Sequence, residues 1–221
     1  VEDFAVSEAG VGVQALDGIL NLTTLSITNA SVGIATVSKA TSTITAFSGS
    51  GMPLCIDAGD ADDFSVVDVD VHGERFMVGQ GVSSVSMMDV HFSSSSTDEM
   101  RPAVDVRCDG TCAVHNATLD GPNIGVSWSG PGTSIMKNVT VNAVEQAVEA
   151  SGTGHALWNN LTVSADSIGL SVQTPTSSLS DASVHLTSNA AVGINVLGGQ
   201  HDWTNVVVEK PFTAADQSSV G

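Results

Sequence analysis

The sequence predicts an all-β protein, a right-handed single-stranded parallel β-helix of about ten coils of roughly 22 residues each. Three observations carry this expectation. A six-residue unit recurs along the chain at near-constant spacing. A second apolar alternation follows each copy some eight or nine residues later. The composition is rich in Ser, Thr, Gly, Ala and Val and poor in strong helix formers.

The unit is clearest in Met136-Lys137-Asn138-Val139-Thr140-Val141 and Trp158-Asn159-Asn160-Leu161-Thr162-Val163. Trp203-Thr204-Asn205-Val206-Val207-Val208, Leu179-Ser180-Asp181-Ala182-Ser183-Val184 and Met87-Met88-Asp89-Val90-His91-Phe92 follow the same order. The shared pattern is apolar, any, Asn or Asp, apolar, polar, apolar. Its third position anchors a series Asp68, Asp89, Asn116, Asn138, Asn160, Asp181 and Asn205, with weaker copies upstream at Asp3, Thr24 and Ala46. The intervals are 21 or 22 residues, except 27 from Asp89 to Asn116 and 24 from Asp181 to Asn205.

The second alternation appears in Ile124-Gly125-Val126-Ser127-Trp128, Gly169-Leu170-Ser171-Val172 and Gly193-Ile194-Asn195-Val196. Earlier copies are Gly10-Val11-Gly12-Val13, Val32-Gly33-Ile34-Ala35 and Arg75-Phe76-Met77-Val78. Period-2 alternation over four to six residues predicts short strands with one buried face. Turn-forming Gly, Ser, Asn and Asp lie between them. Such a unit is too short for a propeller blade and lacks the helical half of a leucine-rich repeat. Units that each need a neighbour to cover an open edge make a solenoid, here a rod roughly 48 Å long at about 4.8 Å per coil. The long interval contains Ser93-Ser94-Ser95-Ser96-Thr97-Asp98-Glu99, expected to bulge from the rod as a loop.

Charge narrows the function classes. With 24 acidic against 6 basic residues the net charge is −18, too negative for a nucleic-acid partner whose phosphates need Lys and Arg. It also disfavours an anionic membrane surface. No apolar run approaches the roughly 18 residues of a membrane span. An acidic surface suits a salty or calcium-containing exterior. The chain starts at Val1 with neither an initiator Met nor a signal segment, so residues 1–221 are expected to be one β-helix domain, a mature or excised piece of a longer protein or a unit of an end-to-end assembly.

The Asn-apolar-Thr-apolar units followed by Gly-Ile or Gly-Leu alternation resemble the parallel β-helix repeats of the pectin-lyase-like superfamily. The resemblance covers nearly the whole chain and implies a secreted or cell-surface protein. It leaves activity open, because that superfamily includes polysaccharide lyases, glycoside hydrolases, adhesins and inert spacers. Its enzymes place Arg or Lys beside their catalytic acids, and no intact catalytic motif carries over to this sequence.

Stacking places Asp68 near Asp89, and Asp70 near His91, on adjacent coils. Carboxylates so arranged can bind a divalent cation or share acid and base duties, while the alternative is a solvated acidic face. Asp57, Asp60, Asp62 and Asp63 crowd one Gly-containing turn, a composition that suits calcium or a plain acidic turn. Cys108 and Cys112 bracket an Asp-Gly turn and could pair as a disulfide, whereas Cys55 follows strand alternation as a buried thiol. Asn21, Asn29, Asn116, Asn138 and Asn160 begin Asn-x-Ser/Thr motifs; three of these restate the repeat, and an Asn ladder could use their amides instead. Trp158 and Trp203 share a core position, while Trp128 either joins the core or offers a sugar-stacking face. The outward row from Ala5 to Val207 is too mixed for a flat ice-binding array.

The leading expectation is a non-enzymatic extracellular structural or adhesive module: a spacer, surface-layer component or filament subunit. Its partners would be further coils, other copies stacked end to end, or glycans. The alternative is a polysaccharide-active lyase or hydrolase using Asp68, Asp70, Asp89 and His91.

Overall fold

The repeating unit sets two positions between its first two core-type apolar ones, which strict strand alternation would not allow. The backbone shows why. In the computed structural model, which describes residues 4–37, 39–94, 101–188 and 191–210, the anchor residue turns the chain. Asp68, Asp89, Asn116, Asn138, Asn160, Asp181 and Asn205 all have φ between 51° and 58°. This left-handed conformation is one that Asn and Asp tolerate better than other side chains. Met136 points inward before the corner and Val139 after it, with Lys137 and Asn138 both exposed between them. Pairing between coils skips the anchor: Lys137 faces Asn159, and Val139 faces Leu161.

The described residues contain no helix and form a parallel β-solenoid of about nine turns. Of the first expected copy, residues 1–3 with the anchor Asp3 lie outside them; its Phe4, Ala5 and Val6 pair with Leu25, Ser26 and Ile27 of the next. Early coils comprise β1 (Phe4–Ser7), β2 (Val11–Ala15), β3 (Ile19–Leu22), β4 (Leu25–Thr28) and β5 (Val32–Thr36). Three long strands bend through several faces without a break: β6 (Thr41–Gly59), β7 (Asp63–Ser94) and β8 (Pro102–Asp120). Thereafter each coil splits in two, giving β9 (Ile124–Ser129), β10 (Thr133–Asn142), β11 (Gln146–Ser151), β12 (His155–Ala165) and β13 (Ile168–Gln173). The last are β14 (Thr176–Leu186), β15 (Val192–Val196) and β16 (Gln200–Glu209).

The anchor-bearing segments stack in the order β1, β4, β6, β7, β8, β10, β12, β14, β16, all in parallel. The second alternation forms its own stack, running from β8 through β9, β11 and β13 to β15. Of the loop expected at 93–99, Ser93 and Ser94 end β7, and residues 95–100 lie outside the described residues.

Register makes the core a set of columns. Leu119, Val141, Val163 and Val184 stand one above another, each no more than 2% exposed. Phe76 and Phe92 pack at 5.6 Å between ring centres. Burying one such aliphatic side chain contributes about 1.5–3 kcal/mol, so these columns dominate the stabilisation of each coil. Glycine is required where backbones close up: at Gly154 an added Cβ would lie 1.7 Å from the Gly132 oxygen.

The outermost described coils are less covered. Val208 is 44% exposed, although Val184, its partner one coil earlier, is fully buried. Phe4, Val11, Val196 and Leu197 are likewise exposed.

Candidate functional site

The anchor column is the first place where chemistry accumulates. An Asn side chain in the left-handed turn points along the solenoid axis, and its amide carries both a donor and an acceptor. Asn116 Nδ2 donates to Asp89 Oδ1, Asn138 to Asn116, and Asn160 to Asn138, each at 2.9 Å. Every donor thus points to the preceding coil. Asp181 interrupts the series because a carboxylate has no N–H to give. It accepts instead, from Asn205 at 3.0 Å and from Asn159 at 3.3 Å. Asp89 occupies the receiving end for the same reason.

The two-coil acidic patch is built on the outward side of β7. His91 Nδ1 lies 3.0 Å from Asp70 Oδ1, and its Nε2 lies 3.7 Å from Asp120 Oδ2. Asn142 donates to Asp120 at 2.6 Å, so a second chain of contacts runs Asp70, His91, Asp120, Asn142 across four coils. The hydrogen bond to Asp70 raises the His91 pKa above its ordinary value, desolvation opposes it, and the charges of Asp70 and Asp120 add to the rise. Beside it His72 Nδ1 meets Ser93 Oγ at 2.9 Å. Asp68 and Asp89 are exposed and sit at equivalent corners of adjacent coils, Asp89 receiving Asn116.

Asp120 and Asn142 were not singled out in the sequence. They stand four residues after the anchors Asn116 and Asn138, and extending the outward alternation one step would have found them. The clasp beside the long interval was equally silent. Arg75 Nε donates to the Pro102 carbonyl at 3.1 Å, and Nη2 reaches Asp105 at 3.3 Å.

The four aspartates expected to suit calcium are not gathered. Asp57 lies in β6, opposite Ala35 and Val78, and its Oδ1 accepts from Gly59 N–H at 3.0 Å. Asp63 begins β7 opposite Thr41, leaving Asp60 and Asp62 between the strands. Ala58 and Ala61 turn inward and close the bend, Ala61 N–H donating to Ala58 at 3.0 Å. Among the described residues, no group of three or more His, Cys, Asp or Glu side chains could hold a metal ion.

Cys108 and Cys112 are both buried and joined by a disulfide, with Cα atoms 6.0 Å apart. Cys55 is a buried free thiol, its pKa pushed up to about 12 by desolvation, which leaves little thiolate to react. Trp128 does not present a sugar-stacking face: it is 2% exposed, stacked between Val106 and Ala150. Its Nε1 and that of Trp158 are buried with no hydrogen-bond partner among the described residues. Trp203 is half-buried and donates to Ser177 Oγ at 2.9 Å. A shallow depression of about 240 Å³ lies beside Ile135, Lys137, Leu157 and Asn159, and none of the patch acids lines it.

No protein-family model, curated protein or solved structure matches the chain.

Proposed function

We propose that this solenoid is an extracellular or cell-surface structural module, a stiff acidic rod serving as a spacer, surface-layer component or filament subunit. The observation that carries this reading is that its outward polar side chains are used to bind one coil to the next. Asp89 terminates the amide ladder, and Asp70 and Asp120 hold His91 between them. A groove-bound substrate would compete for these same groups. The resemblance to pectin-lyase-like repeats, right-handed in that superfamily, supports the exterior setting, as do the acidic charge and the paired cysteines. Apolar side chains exposed on the outermost described coils favour contact with another copy end to end. The test is mechanical and morphological. Electron micrographs of native material should show rods or ordered arrays, and isolated globular particles with polysaccharide-cleaving activity would overturn the reading.

A second reading, a polysaccharide-active enzyme, is favoured by His91 alone. An imidazole between two carboxylates, with its pKa raised, is suited to proton transfer. Under that reading Asp70→Asn abolishes release of reducing or unsaturated ends from an acidic-polysaccharide panel. Under the structural reading the wild type releases none.

A further inference from the structure

The five Asn-x-Ser/Thr motifs fall into three environments. At Asn116, Asn138 and Asn160 the amide nitrogen is a ladder donor. Their hydroxyl residues Thr118, Thr140 and Thr162 lie within β8, β10 and β12, each strand paired to a coil on both sides. Asn21 lies inside β3, opposite Thr43. Asn29-Ala30-Ser31 differs from both, being the irregular connection between β4 and β5.

In that connection Asn29 and Ser31 are exposed while Ala30 is buried, which anchors the segment and turns its two functional side chains outward. Asn29 is in the left-handed conformation, φ 53°. Its Oδ1 edge packs over Gly51, so closely that an added Cβ there would stand 2.4 Å away. Asn29 makes no side-chain hydrogen bond among the described residues. To enter an enzyme's site the segment gives up the backbone bonds from Asn29 N–H to Ser50 and from Ser31 N–H to Ala9, 2.9 and 3.1 Å long. A ladder motif would have to break continuous strand pairing on both sides and lose its amide bonds as well.

We propose that Asn29 is the acceptor of an N-linked glycan and that Asn116, Asn138 and Asn160 stay unmodified in the folded solenoid. The donor is a polyprenyl-diphosphate-linked oligosaccharide. A C–N bond forms between Nδ2 and the anomeric carbon as the anomeric C–O bond breaks. Polyprenyl diphosphate leaves with the bonding electron pair, and one Nδ2 proton passes to a base of the transferase. The Ser31 hydroxyl is the recognition group. The proposal rests on the exterior reading only for its occurrence in the cell, so its test is made with purified components.

Folded chain carrying Thr23→Ala, which removes the Asn21 motif, is incubated with an oligosaccharyltransferase and the lipid-linked oligosaccharide. Occupancy is read site by site by peptide mass spectrometry, alongside a chain unfolded beforehand. Asn29 should exceed each ladder asparagine by at least about tenfold in the folded chain, because coil opening limits the ladder sites. Unfolding should bring the four sites close together, and Ser31→Ala should abolish modification of the folded chain. Equal occupancy of Asn29 and the ladder sites in the folded chain would overturn the proposal. So would an unmodified Asn29 in the folded chain that is modified once unfolded.

Discussion

Ala46 and Asn138 make the same backbone turn, at φ 57° and 56°, by different means. An L-residue other than Asn, Asp or Gly strains by roughly 1–2 kcal/mol in the left-handed region, and alanine has no side chain to offer in return. Asn138 is better suited to the turn and also bonds the coils on either side. Yet the Ala46 coil is in place, with Ile44 and Phe47 on either side of the corner only 0% and 1% exposed. Apolar spacing imposes the corner, and the Asn column reinforces it. The reinforcement is concentrated in the coils from Asp89 onward, while the first coils rely on packing.

The largest expected effect tests that ranking. Phe47→Ala should cost about 3–5 kcal/mol in urea unfolding, as a large buried aromatic does. If it cost less than the loss of a ladder amide, packing would not be what sets the corner. Next in size is Asn138→Asp. It keeps an acceptor for Asn160 but places a carboxylate against Asn116 Oδ1, and should cost about 1–2 kcal/mol at neutral pH. Acidification that protonates the new carboxyl should recover part of the loss. Ala46→Gly should stabilise by about 0.5–1 kcal/mol, because glycine takes the left-handed turn without strain. A loss there would mean the Ala46 methyl group contributes more than its backbone strain costs.

The smallest effect belongs to the acidic patch. His91 has a raised pKa in the folded chain, so its protonated form is the stabilising one. That contribution is fully present below the ordinary histidine value of about 6.5 and disappears as pH rises through the raised value. Wild type and His91→Gln should therefore differ most below about pH 6.5 and converge once pH has risen through the raised value. The difference should be no more than about 0.5 kcal/mol, since the pair faces solvent. A gap that widened with pH would reverse the assignment.

Most of the solenoid was legible because each inward position repeats with the same polarity, so one register located Val139, Leu161 and Ala182 together. Asp70 beside His91 followed from the same arithmetic. What the sequence did not display depends on side-chain reach and direction. It gives no sign that ladder donors all point to the preceding coil, nor that Arg75 spans the long interval to Pro102 and Asp105. Four aspartates in seven residues suggested a cation site, but the bend closed by Ala58 and Ala61 leaves Asp57 and Asp63 on different strands. Trp128 ends an alternating strand, and its position alone did not tell core from surface until the coils were stacked.

The Asn and Asp column is a scaffold whose polarity follows from which side chains can donate. Asp89→Asn tests it most directly. The new amide keeps an oxygen for Asn116 and gains an N–H directed at Asp68 on the preceding coil, where two carboxylates now stand at successive corners. The urea midpoint should rise, by about 0.5–1 kcal/mol in unfolding free energy. A fall in the midpoint would contradict the account, because it would mean the carboxylate at this corner serves something other than stacking.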